Sequence, residues 1–170
     1  VAVTVAARFT DRFNVIVTGA NNRQQALNPG SGFPNSSVVY SSGTGNAQIN
    51  ACCVTSTTVT AASNVDIDLT TLTDLDGNAF SFSKVKTIKV AVSAITTADT
   101  NPQVTVGPQS VANGAILCFA STTGAMVAQP DFQNDAPVVG WSVTASNKVL
   151  RLNGSGAYNV TANVLILGTT

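Results

Sequence analysis

Histidine and glutamate do not occur in this sequence, and charge of either sign is scarce. Without histidine, no Ser-His-Asp or Cys-His arrangement can be built. Without glutamate as well, a zinc-protease helix and a glutamate general acid are excluded. The acidic residues are all aspartate: Asp11, Asp66, Asp68, Asp74, Asp76, Asp99, Asp131 and Asp135. Eight Lys and Arg balance them to a formal net charge of zero. Charged residues are 9% of the chain, against about 25% in ordinary soluble domains. The polar surface must therefore come from Ser, Thr, Asn and Gln. A near-neutral, charge-poor surface is a poor one for a free monomer and suits a protein covered by partners. The basic residues are scattered, which speaks against a nucleic-acid partner, because neutralising phosphates takes clustered Lys and Arg. No stretch approaches the roughly 18 apolar residues of a membrane-spanning helix, so no membrane partner is expected. Val1–Ala7 also lacks the basic and long apolar regions of a signal peptide.

Cysteine is nearly as sparse. Cys52, Cys53 and Cys118 do not form a disulfide framework. Cys52 and Cys53 are adjacent and point to opposite faces of any strand that contains them. The expectation is three reduced thiols acting as small apolar residues, in a chain folded in a reducing cytoplasm. Pairing of one of the adjacent pair with Cys118 is the alternative.

What the chain has in quantity is Thr, Val, Asn, Gly and Ser, which favour strands and turns over helices. Phe13–Thr18 reads as a strand that closes on Gly19-Ala20-Asn21-Asn22. Residues 21–36 hold Pro29, Gly30, Gly32 and Pro34 and read as a long loop. Further strands are expected at Ser37–Ser41, at Gln48–Thr60 with a break, and at Val65–Leu69. In the last, Val65, Ile67 and Leu69 face a core and Asp66 and Asp68 face away. Val85–Thr96 starts as an alternating strand, with Lys84, Lys86 and Lys89 expected on the wet side. The alternation shifts near Ile88 and Lys89, which predicts a bulge or a twist. Later candidates are Gln103–Val106, Ala115–Ala120, Trp141–Ala145, Val149–Leu152 and Tyr158–Leu167. Asn153-Gly154 reads as the turn of a hairpin between the last two. No window sustains a 3.6-residue period. The fold class is therefore all-β, an antiparallel β-sandwich or jelly roll. Two parts are expected: an N-terminal strand or extended arm with its loop over residues 1–36, and the sandwich over 37–170.

Candidate chemistry is thin. No glycine-rich loop has phosphate- or dinucleotide-binding spacing, and no cofactor is expected. Catalysis by paired aspartates would need two of them to meet in a pocket, and no catalytic residue is assigned. Asp74, Asp76 and Asn78 cluster oxygens on one turn, the one place where a cation has local ligands. Asp-Gly and Gly-Asn are equally turn-forming pairs, and the loop lacks the closing Glu of a calcium-binding hand. Trp141 is expected in a core or interface. Sequons at Asn35, Asn153 and Asn159 have meaning only in a eukaryotic secretory setting.

The run LTTLTDLDGNAFSFSKVKTIKV over Leu69–Val90 resembles small virion structural proteins of tailed bacteriophages, of the head decoration or cement type. In those proteins an Asp- and Gly-rich turn leads into a Phe-Ser strand and then a Val-Lys-aliphatic strand. The C-terminal part is similar in order: Gly140-Trp141-Ser142-Val143-Thr144, then Lys148-Val149-Leu150-Arg151-Leu152, then Tyr158–Gly168 ending VLILG. The similarity covers about residues 69–170 and carries over no functional residue, because such proteins work by surface shape. It implies a non-enzymatic component of a phage head, located in the virion after assembly in the host cytoplasm. The implied partners are a major capsid protein and copies of the chain itself, with a trimer the oligomer by analogy. Two other readings are carried: a carbohydrate- or receptor-binding β-domain of a fibre or adhesin, and a tail structural protein.

Overall fold

The computed structural model describes residues 4–9, 13–18, 24–27, 39–74, 77–109, 113–115, 118–119, 124–129, 131–136, 138–154 and 156–170. Among these it forms strands, turns and bends and no helix. The strands are β1 (Thr4–Phe9), β2 (Phe13–Thr18), β3 (Gln24–Leu27), β4 (Val39–Ser42), β5 (Gln48–Ile49), β6 (Ala51–Val59), β7 (Asn64–Asp68) and β8 (Leu72–Thr73). They continue with β9 (Ala79–Phe80), β10 (Lys84–Ala94), β11 (Val104–Pro108), β12 (Met126–Ala128), β13 (Asp131–Asp135), β14 (Trp141–Ser142), β15 (Val149–Asn153) and β16 (Val160–Thr169).

Two antiparallel sheets make the sandwich. One has the order β13-β10-β16-β6, with β14 also on β10, and the other β12-β11-β15-β7. Strand alternation sends one face of each inward. Ile88, Val90 and Val92 of β10 and Val160, Ala162, Val164 and Ile166 of β16 meet Val104 and Val106 of β11, Leu150 and Leu152 of β15 and Ile67 of β7. Ile67 and Leu69 are buried, Val65 packs on the core, and Asp66 is exposed. The alternation read in Val65–Leu69 therefore gave the right register. Strand formation breaks at Asn50, as expected, and its N–H donates to Gly168 O at 3.1 Å.

Where β10 and β16 pair near Thr87–Lys89, their outer face is buried as well as their inner one. Leu165 and Leu167 point away from the sandwich core, yet are 6% and 0% exposed. Tyr40 of β4 lies against this outer face. Its hydroxyl donates to Lys86 O at 3.2 Å and shares a 2.8 Å hydrogen bond with Thr87 Oγ1. β4 belongs to a third sheet of order β3-β2-β1-β4-β5, in which β4 and β5 run parallel. Residues 21–36, read as a loop, thus contain a strand, since β3 pairs with β2 from Val15↔Leu27 to Thr18↔Gln24. The expected arm on residues 1–36 lies partly outside the described residues. Its described strands pair with one another and, through Ala7↔Tyr40 and Arg8↔Val39, with β4 of the same chain.

Four further expectations are corrected. Lys86 and Lys89 are not on a wet face; they are 1% and 2% exposed. A bulge at Lys86 interrupts the β10–β16 register between Val85↔Gly168 and Thr87↔Leu167, slightly ahead of the shift read at Ile88 and Lys89. Asn153-Gly154 does not close a hairpin, because β15 and β16 lie in different sheets. The chain crosses there instead. Gly154 N donates to Ser63 O at 2.8 Å and Gly154 O accepts from Ala62 N at 3.1 Å, which joins this crossing to the β6–β7 turn. A Cβ at Gly154 would sit 2.3 Å from Thr60 O, so only glycine fits. Ala115–Ala120 is not a strand in its described residues. Gly114 makes one bridge to Val149, and Ala115 and Phe119 are buried as core filler.

Candidate functional site: the open side of the sandwich

β6 and β7 are edge strands of their respective sheets and lie on the same side of the sandwich, joined by the turn at Thr60–Ser63. Between them runs a cleft of about 440 Å³, lined by Cys53, Val54, Thr55 and Thr57 on one wall and by Val65–Asp68 and Thr71–Thr73 on the other. The acidic wall is neutralised within the chain. Arg151 grips Asp66 with two hydrogen bonds, Nε to Oδ1 at 2.7 Å and Nη2 to Oδ2 at 2.8 Å, and Gln109 Nε2 adds a third at 2.8 Å. Arg151 hydrogen bonding holds the Asp66 carboxyl below its ordinary range, against partial burial. Lys148 Nζ sits 2.8 Å from Asp68 Oδ2, while Thr70 N and Oγ1 donate to Oδ1 at 2.9 and 2.6 Å. Burial opposes ionisation of Asp68, and the Lys148 and Thr70 hydrogen bonds overcome it, so this carboxyl is lowered too. Two aspartates do line one cleft. Both carboxyls are lowered by their own partners, whereas paired-carboxylate hydrolysis relies on one raised to act as a proton donor.

The opposite wall is chemically plain. β6 reads ACCVTSTTV, without charge or proline, and pairs with β16 in unbroken register from Val160↔Val59 to Gly168↔Ala51. Among the described residues its other edge pairs with no strand. The sequence reading saw a strand here and missed that it is an edge. The missing signal was non-local, since nothing in ACCVTSTTV says which strands flank it.

The cation turn is only partly described, because Asp76 lies outside the described residues. Asp74 and Asn78 do come together, and they bond each other. Asn78 N donates to Asp74 Oδ1 at 2.8 Å, Asn78 Nδ2 reaches Oδ2 at 3.2 Å, and Asp74 N donates to Asn78 O at 2.9 Å. Those contacts use the aspartate as a turn-closing acceptor between β8 and β9. Trp141 is half-buried and packs on the core. Asn159 Oδ1 accepts from Ala61 N at 3.0 Å. The three cysteines are free thiols. Cys53 is in the core and Cys52 points to the other face.

A buried polar cluster ties the third sheet to the sandwich. Thr87 Oγ1 donates to Asp135 Oδ1 at 2.6 Å, Gln133 Nε2 donates to Asp135 Oδ2 at 2.6 Å, and Lys86 Nζ donates to Gly45 O. Lys89 sits opposite Gln133 in the ladder, with Asp131 and Asp135 two residues to either side. Burial lowers the Lys89 ammonium to about 8, against the pull of Asp135 and Asp131. Lys86 is lowered first by burial and then by Lys84. Burial raises the thiols of Cys52 to about 12 and of Cys53 and Cys118 to about 11, and the Tyr40 hydroxyl to about 12.

These shifts set a pH profile. Above about pH 8 the folded chain gives up the Lys89 proton while the unfolded chain keeps it, so stability rises with pH. Lys86 adds in the same sense. Above about pH 9 the unfolded thiols lose protons that the folded ones retain, and stability falls; the Tyr40 hydroxyl joins them above about pH 10. Denaturant midpoints are expected to peak near pH 9. Lys89→Met should weaken the rise and leave the fall intact. A parallel profile for the variant would show that Lys89 titrates alike in both states.

No protein-family model matches this chain, and no curated protein matches it.

Proposed function

We propose that this chain is a structural component of a bacteriophage particle, a capsid decoration or cement protein that stabilises the head by protein–protein contacts and not by catalysis. One observation carries the assembly part of this reading. The longest edge of the sandwich, β6, is an uncharged strand of nine residues with no pairing partner on its outer side among the described residues. Proteins that remain monomeric blunt such edges with lysine, proline, bulges or a covering loop. The scarcity of charge over the whole chain supports the same reading. The phage part rests on the sequence resemblance, whose segments form β8, β9, the first part of β10, β14, most of β15 and nearly all of β16. The proposed partners are copies of the chain and a major capsid protein, and the proposed location is the virion.

A carbohydrate site in the cleft is a weaker reading, because its lining contains no aromatic ring and its acids are already paired. The test of assembly is light scattering on the purified chain as it elutes from size exclusion. The expected result is a discrete closed oligomer that survives dilution. A mass of 17.3 kDa at every concentration at which the chain stays soluble would remove self-assembly from the proposal.

A further inference from the structure

We infer that the outer edge of β6, unpaired among the described residues, is the pairing edge for a second copy of this chain, strand to strand and antiparallel, across a two-fold axis near Thr55. The inference rests on the assembly reading above and names the surface it uses.

Among the described residues, four edges bound the sandwich. β7 carries Asp66 and Asp68, β13 carries Asp131 and Asp135, and β12 is three residues long. β6 alone is both long and free of charge, and its nine consecutive pairs with β16 contain no bulge. Alternate N–H and C=O groups along it point outward, and only another strand satisfies them in a row.

Self-complementarity selects the occupant. In an antiparallel pair centred on Thr55, Thr55 meets Thr55, Cys53 meets Thr57 and Val54 meets Ser56 of the other copy. No like charges oppose each other, and threonine pairs are favourable across strands. The same two-fold operation satisfies both edges at once and closes the assembly. The added strand would lie along the cleft between β6 and β7. Its acids are neutralised by Arg151 and Lys148, so a neutral Thr-rich strand suits the cleft and a basic one has no charge to meet.

The test uses exposed positions. Val54 is 42% exposed and Ser56 is exposed, so charge there leaves the core untouched. Two double variants are made, Val54→Lys with Ser56→Lys and Val54→Glu with Ser56→Glu. Wild type is expected at an even multiple of the chain mass. Each variant alone is expected at half the wild-type mass with an unchanged far-ultraviolet spectrum. An equimolar mixture is expected to regain the wild-type mass, because Lys then faces Glu across the axis. Recovery on mixing also shows that the variants fold. Variants that keep the wild-type mass, or a mixture that does not regain it, would overturn the β6 contact while assembly stands. So would a wild-type trimer, which has no two-fold axis. A wild type that is monomeric throughout would overturn both the contact and the assembly reading.

Discussion

Gly168→Ala is expected to cost about 3 kcal/mol or more, the upper part of the overpacking range. Gly168 lies in β16 opposite Val85, where the bulge at Lys86 brings two backbones together. A Cβ there would stand 2.1 Å from Lys84 O and 2.9 Å from the Phe82 ring. The carbonyl cannot swing aside as a side chain can, because Lys84 is itself in the ladder opposite Thr169. The strands must separate, which also strains the bond from Asn50 N to Gly168 O that ends the third sheet. Gly156→Ala is the control, since a Cβ there meets nothing closer than 3.9 Å. Urea denaturation of both variants gives the comparison. Equal midpoints would show that the β10–β16 approach is looser than described.

Leu167→Ala is expected to cost about 2–5 kcal/mol, as for a buried leucine in a packed core. This residue is the sharper test of the three-sheet arrangement. Leu167 and Ile166 are adjacent and point to opposite faces of β16, and both are 0% exposed. Ile166 is buried by the second sheet of the sandwich. Leu167 is buried on the face where Tyr40 binds Thr87. If that outer face were open to solvent, truncating Leu167 would change stability by well under about 1 kcal/mol, while Ile166→Ala would still cost the full amount. Comparable losses for the two variants are expected. They would establish that the layer containing β4 folds as part of the same cooperative unit.

Much of the secondary structure was legible because it is local. The alternation Val65, Ile67, Leu69 against Asp66 and Asp68 requires only that one face be dry. The strands at Phe13–Thr18 and Val149–Leu152 announce themselves by β-branched and leucine content between turn residues. Weaker elements escaped. β13, DFQND, has one large apolar residue, and it forms because β10 offers it a ladder from Thr87↔Asp135 to Ala91↔Asp131. The two-residue strands β8 and β9 are held by their turn and by each other. The lysines on β10 misled for a related reason. A Lys at alternate strand positions looks solvent-facing, but its long stem can lie under another layer while the ammonium reaches a carbonyl, as Lys86 reaches Gly45. The run VLILG in β16 did hold a hint. Four consecutive large apolar residues, without alternation, suit a strand buried on both faces.

The sequence by itself determined the class of fold, the inward face of β7, a break within Gln48–Thr60 and the exclusion of histidine- and glutamate-dependent chemistry. Each follows from residue type or from spacing of two along the chain. Which strands become neighbours is a different kind of fact. It decided that Asn153-Gly154 crosses between sheets, that Lys86 and Lys89 are buried, that Asp66 and Asp68 are neutralised by Arg151 and Lys148, and that β6 is an edge among the described residues. These depend on contacts between residues up to a hundred or so positions apart, such as the pairing Ala51↔Gly168. A pairing of that kind is set by the packing of whole sheets, and no local pattern encodes it.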